Sequence, residues 1–154
     1  KKLIYIVIAL MVSNITLAQG YFREPEKAFT FQVAPAAFSY NDKAVVGFHI
    51  GVNYKEAFNI SYFSMRDYDF SEGIEDYGWY GLNAAYMINM NKYLAVGPVV
   101  RLANINGDWE KPYYGAELRY NVNKKVKIGF EYGRAKNETG FAEGFGIKFI
   151  WNMY

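Results

Sequence analysis

Residues 113–134 read YYGAELRYNVNKKVKIGFEYGR, and their pattern is the clearest indication of the fold. Every second residue is apolar on both sides of the polar triplet 123–125, namely Tyr114, Ala116, Leu118, Tyr120 and Val122 before it and Val126, Ile128, Phe130 and Tyr132 after it. The residues between them are Gly, Asn or charged. A period of two is typical of a β-strand with one apolar face, and a short polar link between two such strands predicts an antiparallel hairpin.

The same alternation recurs along the chain. It is clear at 44–54, 79–88, 93–102 and 144–152, and weaker at 28–40 and 58–65. Short turns at 55–57, 89–92 and 123–125 alternate with longer links at 66–78, 103–112 and 135–142, and only the link near 41–43 breaks this rhythm. No stretch of the mature chain shows helical periodicity. The pattern predicts an all-β, eight-stranded, antiparallel up-and-down β-barrel.

The two faces of these strands indicate where the barrel lies. One face is aromatic, aliphatic and β-branched, whereas the other is mostly Gly, Ala and Asn with a few charged residues. The second face would make a poor water-facing surface, but it suits the narrow lumen of an eight-stranded barrel. We therefore expect the apolar face to contact lipid, and about ten tilted residues per strand are enough to cross a bilayer. An alternative interpretation is a soluble periplasmic barrel that binds an apolar ligand. In such a barrel the apolar face would line the cavity and the other face would meet water.

The first eighteen residues have the pattern of a cleavable signal peptide. Lys1 and Lys2 precede an apolar run at 3–12, and the small residue Ala18 ends the segment. We expect cleavage after Ala18, which leaves residues 19–154 as the barrel domain. Removal of two lysines from a chain with 17 basic and 15 acidic residues leaves no net charge, which argues against nucleic acid as a partner. The absence of Cys excludes disulfides, a thiol nucleophile and Cys-ligated zinc.

The signal peptide, the alternating segments and the aromatic last strand resemble the OmpA/OmpX-like small outer-membrane β-barrels of Gram-negative bacteria. The resemblance covers nearly all of residues 19–154. It implies the outer membrane as location, with membrane lipid and the barrel-assembly machinery as partners and no cofactor. It also implies that the aromatic C-terminal residues Phe149, Trp151 and Tyr154 form the assembly signal. The expected function is a non-enzymatic one, either structural or surface-binding through the long extracellular loops.

Two prolines interrupt this pattern. Pro35 and Pro98 lie within predicted strands, where a proline cannot donate a ladder hydrogen bond. The apolar phase also slips between Val33 and Phe38. We therefore expect a β-bulge at each proline.

The inward face carries charges that we expect to meet in the lumen. If Val122 pairs with Val126, then Glu117 lies directly opposite Glu131, which is unfavourable unless a cation lies between them. The predicted network consists of Arg101, Glu117, Arg119, Lys127, Glu131 and Lys148. Because buried charges must be paired, we interpret this set as a salt-bridge plug. The alternative function of the same residues is a proton-coupled or gated pore.

His49 is the only histidine in the chain, which is too few for a His-based metal site. The same register argument places it opposite Phe63 and diagonal to Ser61. A His–Ser pair in a membrane barrel suggests an alternative function as a lipid-A-modifying acyl hydrolase. Both side chains point into the lumen, however, and no acidic residue is placed to orient the imidazole.

The long loops are the predicted place for binding an extracellular ligand or surface partner. Loop 66–78 carries Asp67, Asp69 and Ser71 at the spacing of the first calcium ligands in an EF-hand, but without its flanking helices. A solvated acidic loop is the simpler interpretation. The predicted loop surface consists of Asp67, Tyr68, Asp69, Phe70, Trp109 and Tyr113.

Overall fold

The structure, a computed structural model, describes residues 28–40, 43–69, 73–105, 107–137 and 140–153. It contains eight long strands: β1 (Phe29–Tyr40), β2 (Lys43–Tyr54), β3 (Phe58–Asp69), β4 (Gly73–Tyr86), β5 (Leu94–Ile105), β6 (Tyr113–Asn121), β7 (Val126–Asn137) and β8 (Gly140–Met153). Two-residue segments at Ile88–Asn89 and Asp108–Trp109 also pair with β5. The predicted signal peptide, residues 1–18, lies outside the described residues.

The strands form one closed antiparallel barrel. Each strand pairs with its neighbours in sequence, and β8 pairs with β1 to close the sheet. A path that starts at Thr30, crosses to its paired residue Asn53 and continues from pair to pair around the barrel comes back to β1 at Tyr40. This stagger from residue 30 to residue 40 tilts the strands by roughly 40° from the barrel axis. A tilted strand of twelve residues then spans about 30 Å, the thickness of a bilayer core.

The two faces of the barrel have opposite polarity. The outward face exposes large apolar side chains on every long strand, for example Ile60, Leu82, Leu118, Phe130 and Phe149. The inward face buries charged and amide side chains. This arrangement confirms the predicted transmembrane barrel, and it excludes the interpretation as a soluble barrel with an apolar cavity. No helix in the described part of the chain is long and apolar enough to span a membrane.

The strands extend beyond the predicted boundaries. The segments 66–78 and 135–142 are predicted as loops, but strands occupy most of both. In the first segment β3 continues to Asp69 and β4 begins at Gly73, and in the second β7 ends at Asn137 and β8 begins at Gly140. The loop predicted at 103–112 is also shorter in the structure than in the prediction, because β5 continues to Ile105. These predictions were wrong because the outward residues become polar there, as at Arg66, Arg134 and Lys136, while the inward residues Asp67 and Ala135 stay buried. The sequence therefore loses its contrast between an apolar and a polar face although the ladder continues.

The expected bulges at the prolines are absent. The pairing of β1 with β8 stops between Val33 and Ala36 around Pro35 and resumes in the same register. The pairing of Pro98 with the preceding strand is interrupted in the same way. Each missing N–H therefore leaves a gap in one ladder and no extra residue. The register shift in the described sheet lies instead between Arg66 and Tyr68 on β3.

Phe38 also differs from the prediction, because it points into the lumen and not toward lipid. It is buried, as are Gln32, Ala34 and Ala36 on the same face of β1. The strand thus keeps one phase throughout. The apparent slip in the sequence arose because an inward position carries an aromatic residue.

Candidate functional site

The predicted charge network forms the centre of the lumen. Glu117 on β6 lies directly opposite Glu131 on β7, as the hairpin register predicted. The Lys148 Nζ donates hydrogen bonds to Glu117 Oε2 and, over 2.8 Å, to Glu131 Oε2. The Arg119 Nε donates to Glu117 Oε1 over 2.5 Å, and the Arg101 Nη2 donates to Glu131 Oε1 over 2.7 Å. A cation therefore lies between the opposed carboxylates, which removes their mutual repulsion.

Burial makes these contacts strong. The side chains of Glu117 and Glu131 are 0% exposed, and those of their three cationic partners are at most 7% exposed. In such a position, charges are tolerated only when they are paired and hydrogen-bonded. Three cations share two carboxylates, so the network carries one excess positive charge. The arrangement fits a salt-bridge plug that closes the lumen.

Small residues make room for the network. Lys148 is paired with Gly129 on β7 and with Ala36 on β1. A Cβ added to Gly129 would lie 2.8 Å from the Glu117 Oε1, closer than real side chains approach. The glycine thus leaves the space that the carboxylate fills.

Lys127 is the predicted network member that the fold separates from the rest. It lies opposite Asn121 as predicted, but near the turn end of β7. Its Nζ is 3.6 Å from the Glu56 carboxylate in the β2–β3 turn. The network of the structure therefore contains five of the six predicted residues.

Aromatic and apolar side chains cover the network on the side away from the turns. The Arg101 guanidinium lies over the rings of Phe38, Phe63 and Tyr113 at 4.4, 5.2 and 5.0 Å from their centroids. The buried cluster in this part of the lumen contains Ala36, Phe38, Val45, Phe63, Met65 and Trp79. Contact of a desolvated cation with ring faces is favourable by about 2 kcal/mol. This layer closes the lumen a second time.

Sequence reasoning missed this aromatic layer, although a signal for it exists. Phe38, Phe63 and Tyr113 are large aromatic residues on a face that the sequence shows to be rich in small and polar residues. Glycines lie beside them: a Cβ on Gly146 would lie 2.1 Å from the Phe38 ring. An inward aromatic residue opposite a glycine on the next strand would have indicated the layer.

The His49–Ser61 pair lies inside the barrel, in the predicted register. His49 Nδ1 and Ser61 Oγ are 3.4 Å apart, and both residues are at most 2% exposed. The imidazole lies between the rings of Phe38 and Phe63 at centroid distances of 6.2 and 5.7 Å. Among the described residues, no carboxylate bonds to His49. The pair thus has a long contact, no orienting acid and no opening toward lipid, so the geometry does not favour the hydrolase interpretation.

The predicted loop surface is dispersed in the structure, and two of its members were wrongly placed. Asp67 is 5% exposed and accepts a hydrogen bond of 2.7 Å from the Lys43 Nζ. Tyr113 is 5% exposed, because it begins β6 and points into the lumen. Tyr68 is half-buried, whereas Trp109 is 66% exposed. The side chain of Asp69 and the whole of Phe70 lie outside the described residues.

The weak calcium hypothesis loses one of its ligands. Asp67 is taken up by its ion pair with Lys43. Ser71, like Phe70, lies outside the described residues. In the part of the chain that the structure describes, no group of three or more acidic or histidine side chains has the geometry to hold a metal ion.

The C-terminal strand presents aromatic side chains to the lipid face. Phe149 and Trp151 point outward and are more than half exposed. The strand neither stops nor bulges at Trp151, because Met153 pairs with Phe31 in the same register. The third residue of the predicted assembly signal, Tyr154, lies outside the described residues.

Comparisons with known proteins support the fold. No protein-family model and no curated protein sequence matches the chain. Among solved structures, the de novo designed transmembrane barrel TMB2.3 has a TM-score of 0.66 and 14% sequence identity, over 84% of this chain and 98% of that chain. The N-terminal β-barrel domain of Pseudomonas aeruginosa OprF has a TM-score of 0.58 and 18% identity, over 79% and 97%.

A third structure is Ail, the attachment invasion locus protein of Yersinia pestis. It has a TM-score of 0.53 and 14% identity, over 81% of this chain and 97% of that chain. At these identities the likeness concerns the fold alone. The chain thus has the fold of the small eight-stranded transmembrane β-barrels.

Proposed function

We propose that the chain is a non-enzymatic protein of the outer membrane of a Gram-negative bacterium, with a structural or surface-binding role. The observation that carries this proposal is the inverted polarity of a closed barrel. Apolar side chains cover its outside, and ion pairs fill its inside. Only a hydrocarbon environment makes the outer surface favourable, because contiguous apolar patches of this extent are rare on soluble monomers.

The filled lumen supports a structural or binding role over a transport role. The five network charges are held by one another, and the layer around Arg101 closes the lumen again. A solute that crossed the barrel would have to break several buried ion pairs. A gated pore is therefore less well supported than a plug.

A binding function belongs at the end of the barrel opposite the short turns. There, Trp109 is 66% exposed on the two-residue segment Asp108–Trp109. The outer-membrane location also makes the barrel-assembly machinery a partner, which would act on the strand that contains Phe149 and Trp151.

Membrane fractionation tests the proposal. Cells that express the full chain are separated into periplasm, inner membrane and outer membrane, and the protein is run on a gel with and without boiling. We expect it in the outer membrane, with faster migration before boiling because the closed barrel stays folded. Recovery in the periplasmic fraction would contradict the proposal.

Two measurements separate the proposed role from its alternatives. In planar bilayers, the purified protein should produce no steady ion conductance, whereas a gated pore would produce discrete steps. Mass spectra of lipid A from expressing cells should match those of cells with an empty vector. Loss of an acyl chain that depends on His49 would establish the hydrolase alternative instead.

A further inference from the structure

Among the described residues, those at the end of the barrel that carries the short turns are mainly basic. Its three turns present the exposed side chains of Lys55, Lys92, Lys124 and Lys125, and these four residues are called the turn rim below. Glu56 is the acidic residue among the described residues of these turns, and its carboxylate lies 3.6 Å from the inward Lys127. The described side chains of these turns thus carry four positive charges and one negative charge.

The opposite end of the barrel has mixed charge. Lys43 is paired with Asp67, and Arg134 is paired with Glu143, each at 2.7 Å. The segment 107–112 carries Asp108, Glu110 and Lys111. The basic character is thus a property of one end and does not reflect the overall composition.

Tyrosines hold two of the rim lysines at the depth of lipid headgroups. The Lys92 Nζ lies 4.6 Å from the Tyr93 ring centroid, and the Lys55 Nζ lies 5.4 Å from that of Tyr54. Both tyrosines are exposed on the lipid-facing side. Tyr at a strand end marks the membrane–water interface, so the two ammonium groups lie near the level of the phosphates. A hydrogen bond with Tyr93 also raises the pKa of Lys92 above its ordinary value.

We propose that the turn rim binds the headgroups of anionic phospholipids, such as phosphatidylglycerol, in the membrane leaflet next to it. The inference rests on the proposed membrane location and adds a lipid partner to it. Charge complementarity carries it, because a lysine near an anionic membrane surface changes binding by about fivefold. With several lysines at one end, that end should select anionic over zwitterionic lipid.

The chain contains its own reporters for this test. Trp151 is 59% exposed on the lipid side, and its neighbour Asn152 bonds through its N–H to the Lys125 carbonyl. Trp109 lies at the other end, and Trp79 is buried in the lumen. A W79F/W109F variant therefore reports on lipid beside the turn rim.

The experiment measures quenching of tryptophan fluorescence by brominated lipid. Protein purified after expression of the full chain is reconstituted into phosphatidylcholine vesicles that contain brominated phosphatidylcholine or brominated phosphatidylglycerol. We expect Trp151 to give an association ratio for phosphatidylglycerol over phosphatidylcholine of about five or more.

Substitutions assign the preference to the turn rim. The variant K55Q/K92Q/K124Q/K125Q should reduce the Trp151 ratio to within about twofold of one, whereas the control K111Q/K136Q at the other end should leave it unchanged. An unchanged ratio in the rim variant would overturn the proposal, as would a ratio of one in the inserted parent protein.

Two further outcomes have distinct meanings. If brominated phosphatidylcholine does not quench Trp151 and migration does not shift on boiling, the barrel has not inserted. That result would overturn the proposed location and this inference with it. If the inserted protein shows no lipid preference but sediments with purified peptidoglycan in a rim-dependent manner, the partner is the cell wall and the lipid assignment is wrong.

Discussion

Glu117 and Glu131 illustrate how buried residues of like charge can stabilise a fold. Alone, two opposed carboxylates in a narrow lumen would repel each other and lose their hydration. Lys148 on β8 donates hydrogen bonds to the Oε2 atoms of both carboxylates. Arg119 donates to the Oε1 of Glu117, and Arg101 donates to the Oε1 of Glu131. The two carboxylates thus depend on cations from β5 and β8 as well as from β6, so removal of one network residue leaves uncompensated charge.

The substitution Glu117→Gln tests this dependence. It leaves Lys148 and Arg119 with one fewer buried anion, which typically costs about 3–5 kcal/mol of unfolding free energy. Urea-induced unfolding in detergent micelles measures the loss. The control is Glu143→Gln, which breaks a half-exposed ion pair with Arg134 and should cost less than about 1 kcal/mol. Equal losses in both variants would contradict the assignment of the plug.

The contact between Gly146 and Phe38 gives a second prediction at the residue scale. An added Cβ would lie 2.1 Å from the Phe38 Cδ1, and the ring is buried beside Arg101. We expect Gly146→Ala to destabilise the barrel by about 1–3 kcal/mol, because the ring has little space to move. In a double-mutant cycle with Phe38→Leu, the loss should be smaller than in the parent.

Gly78 is the matched control for that substitution. No atom lies within 4 Å of a Cβ added there, so Gly78→Ala should change stability by no more than about 0.5 kcal/mol. Losses of the same size at both glycines would show that strand propensity, and not the ring, determines the effect.

At the scale of the element, the conformation of a turn outside the lipid depends on the backbone preferences of its own residues. The β2–β3 turn places Lys55 and Glu56 at φ values of 50° and 58°, and Ala57 donates a 3.1 Å hydrogen bond to the Tyr54 carbonyl. The turn has three residues between the paired Tyr54 and Phe58, and its two consecutive positive φ values are a conformation that favours Asn and Gly. This chain has a lysine and a glutamate there, and both have a further role. Lys55 belongs to the turn rim, and Glu56 pairs with Lys127.

The substitution Lys55→Asn should therefore stabilise the hairpin. Asparagine adopts a positive φ more readily than lysine, so we expect a gain of about 0.5–1 kcal/mol. Urea unfolding in zwitterionic micelles measures it without a contribution from anionic lipid. Lys55→Gln removes the same charge without the backbone preference and should give no gain. A gain that is equal in both variants would attribute the effect to the lost charge.

At the scale of the whole molecule, closure and stagger determine which residues meet. Arg101 on β5 and Glu131 on β7 belong to strands that are not neighbours, yet their side chains bond across the lumen at 2.7 Å. Closure also removes every sheet edge between the eight long strands, which is why a backbone can cross hydrocarbon in this form. The outward apolar face and the inward polar face are consequences of the same closure.

The lipid-facing surface makes a prediction that depends on depth. Val100 lies midway along β5 and points outward, whereas Tyr120 points outward at the turn end of β6 and stacks on Tyr93. In vesicles, Val100→Arg should cost about 2–4 kcal/mol, and Tyr120→Arg should cost less than about 1 kcal/mol. Unfolding by denaturant in the same vesicles measures both. Equal costs would contradict the membrane position of the barrel.

The sequence alone determined the strands, their antiparallel order and the local registers. The pairs Glu117–Glu131 and His49–Phe63 follow from turn length and a period of two, and both are confirmed. This was possible because a strand in lipid has one apolar face, and a one-residue slip would reverse it.

The strand ends, the direction of Phe38 and the partners in the lumen became evident only in the folded barrel. At the strand ends the outward residues become polar, as at Arg134 and Lys136, so the apolar period that marks a strand disappears although the ladder continues. Which inward side chains touch depends on the stagger of the closed barrel, which brings together residues from strands that are distant in sequence. Arg101 could therefore be predicted to point inward, but its contacts with Glu131 and three aromatic rings could not.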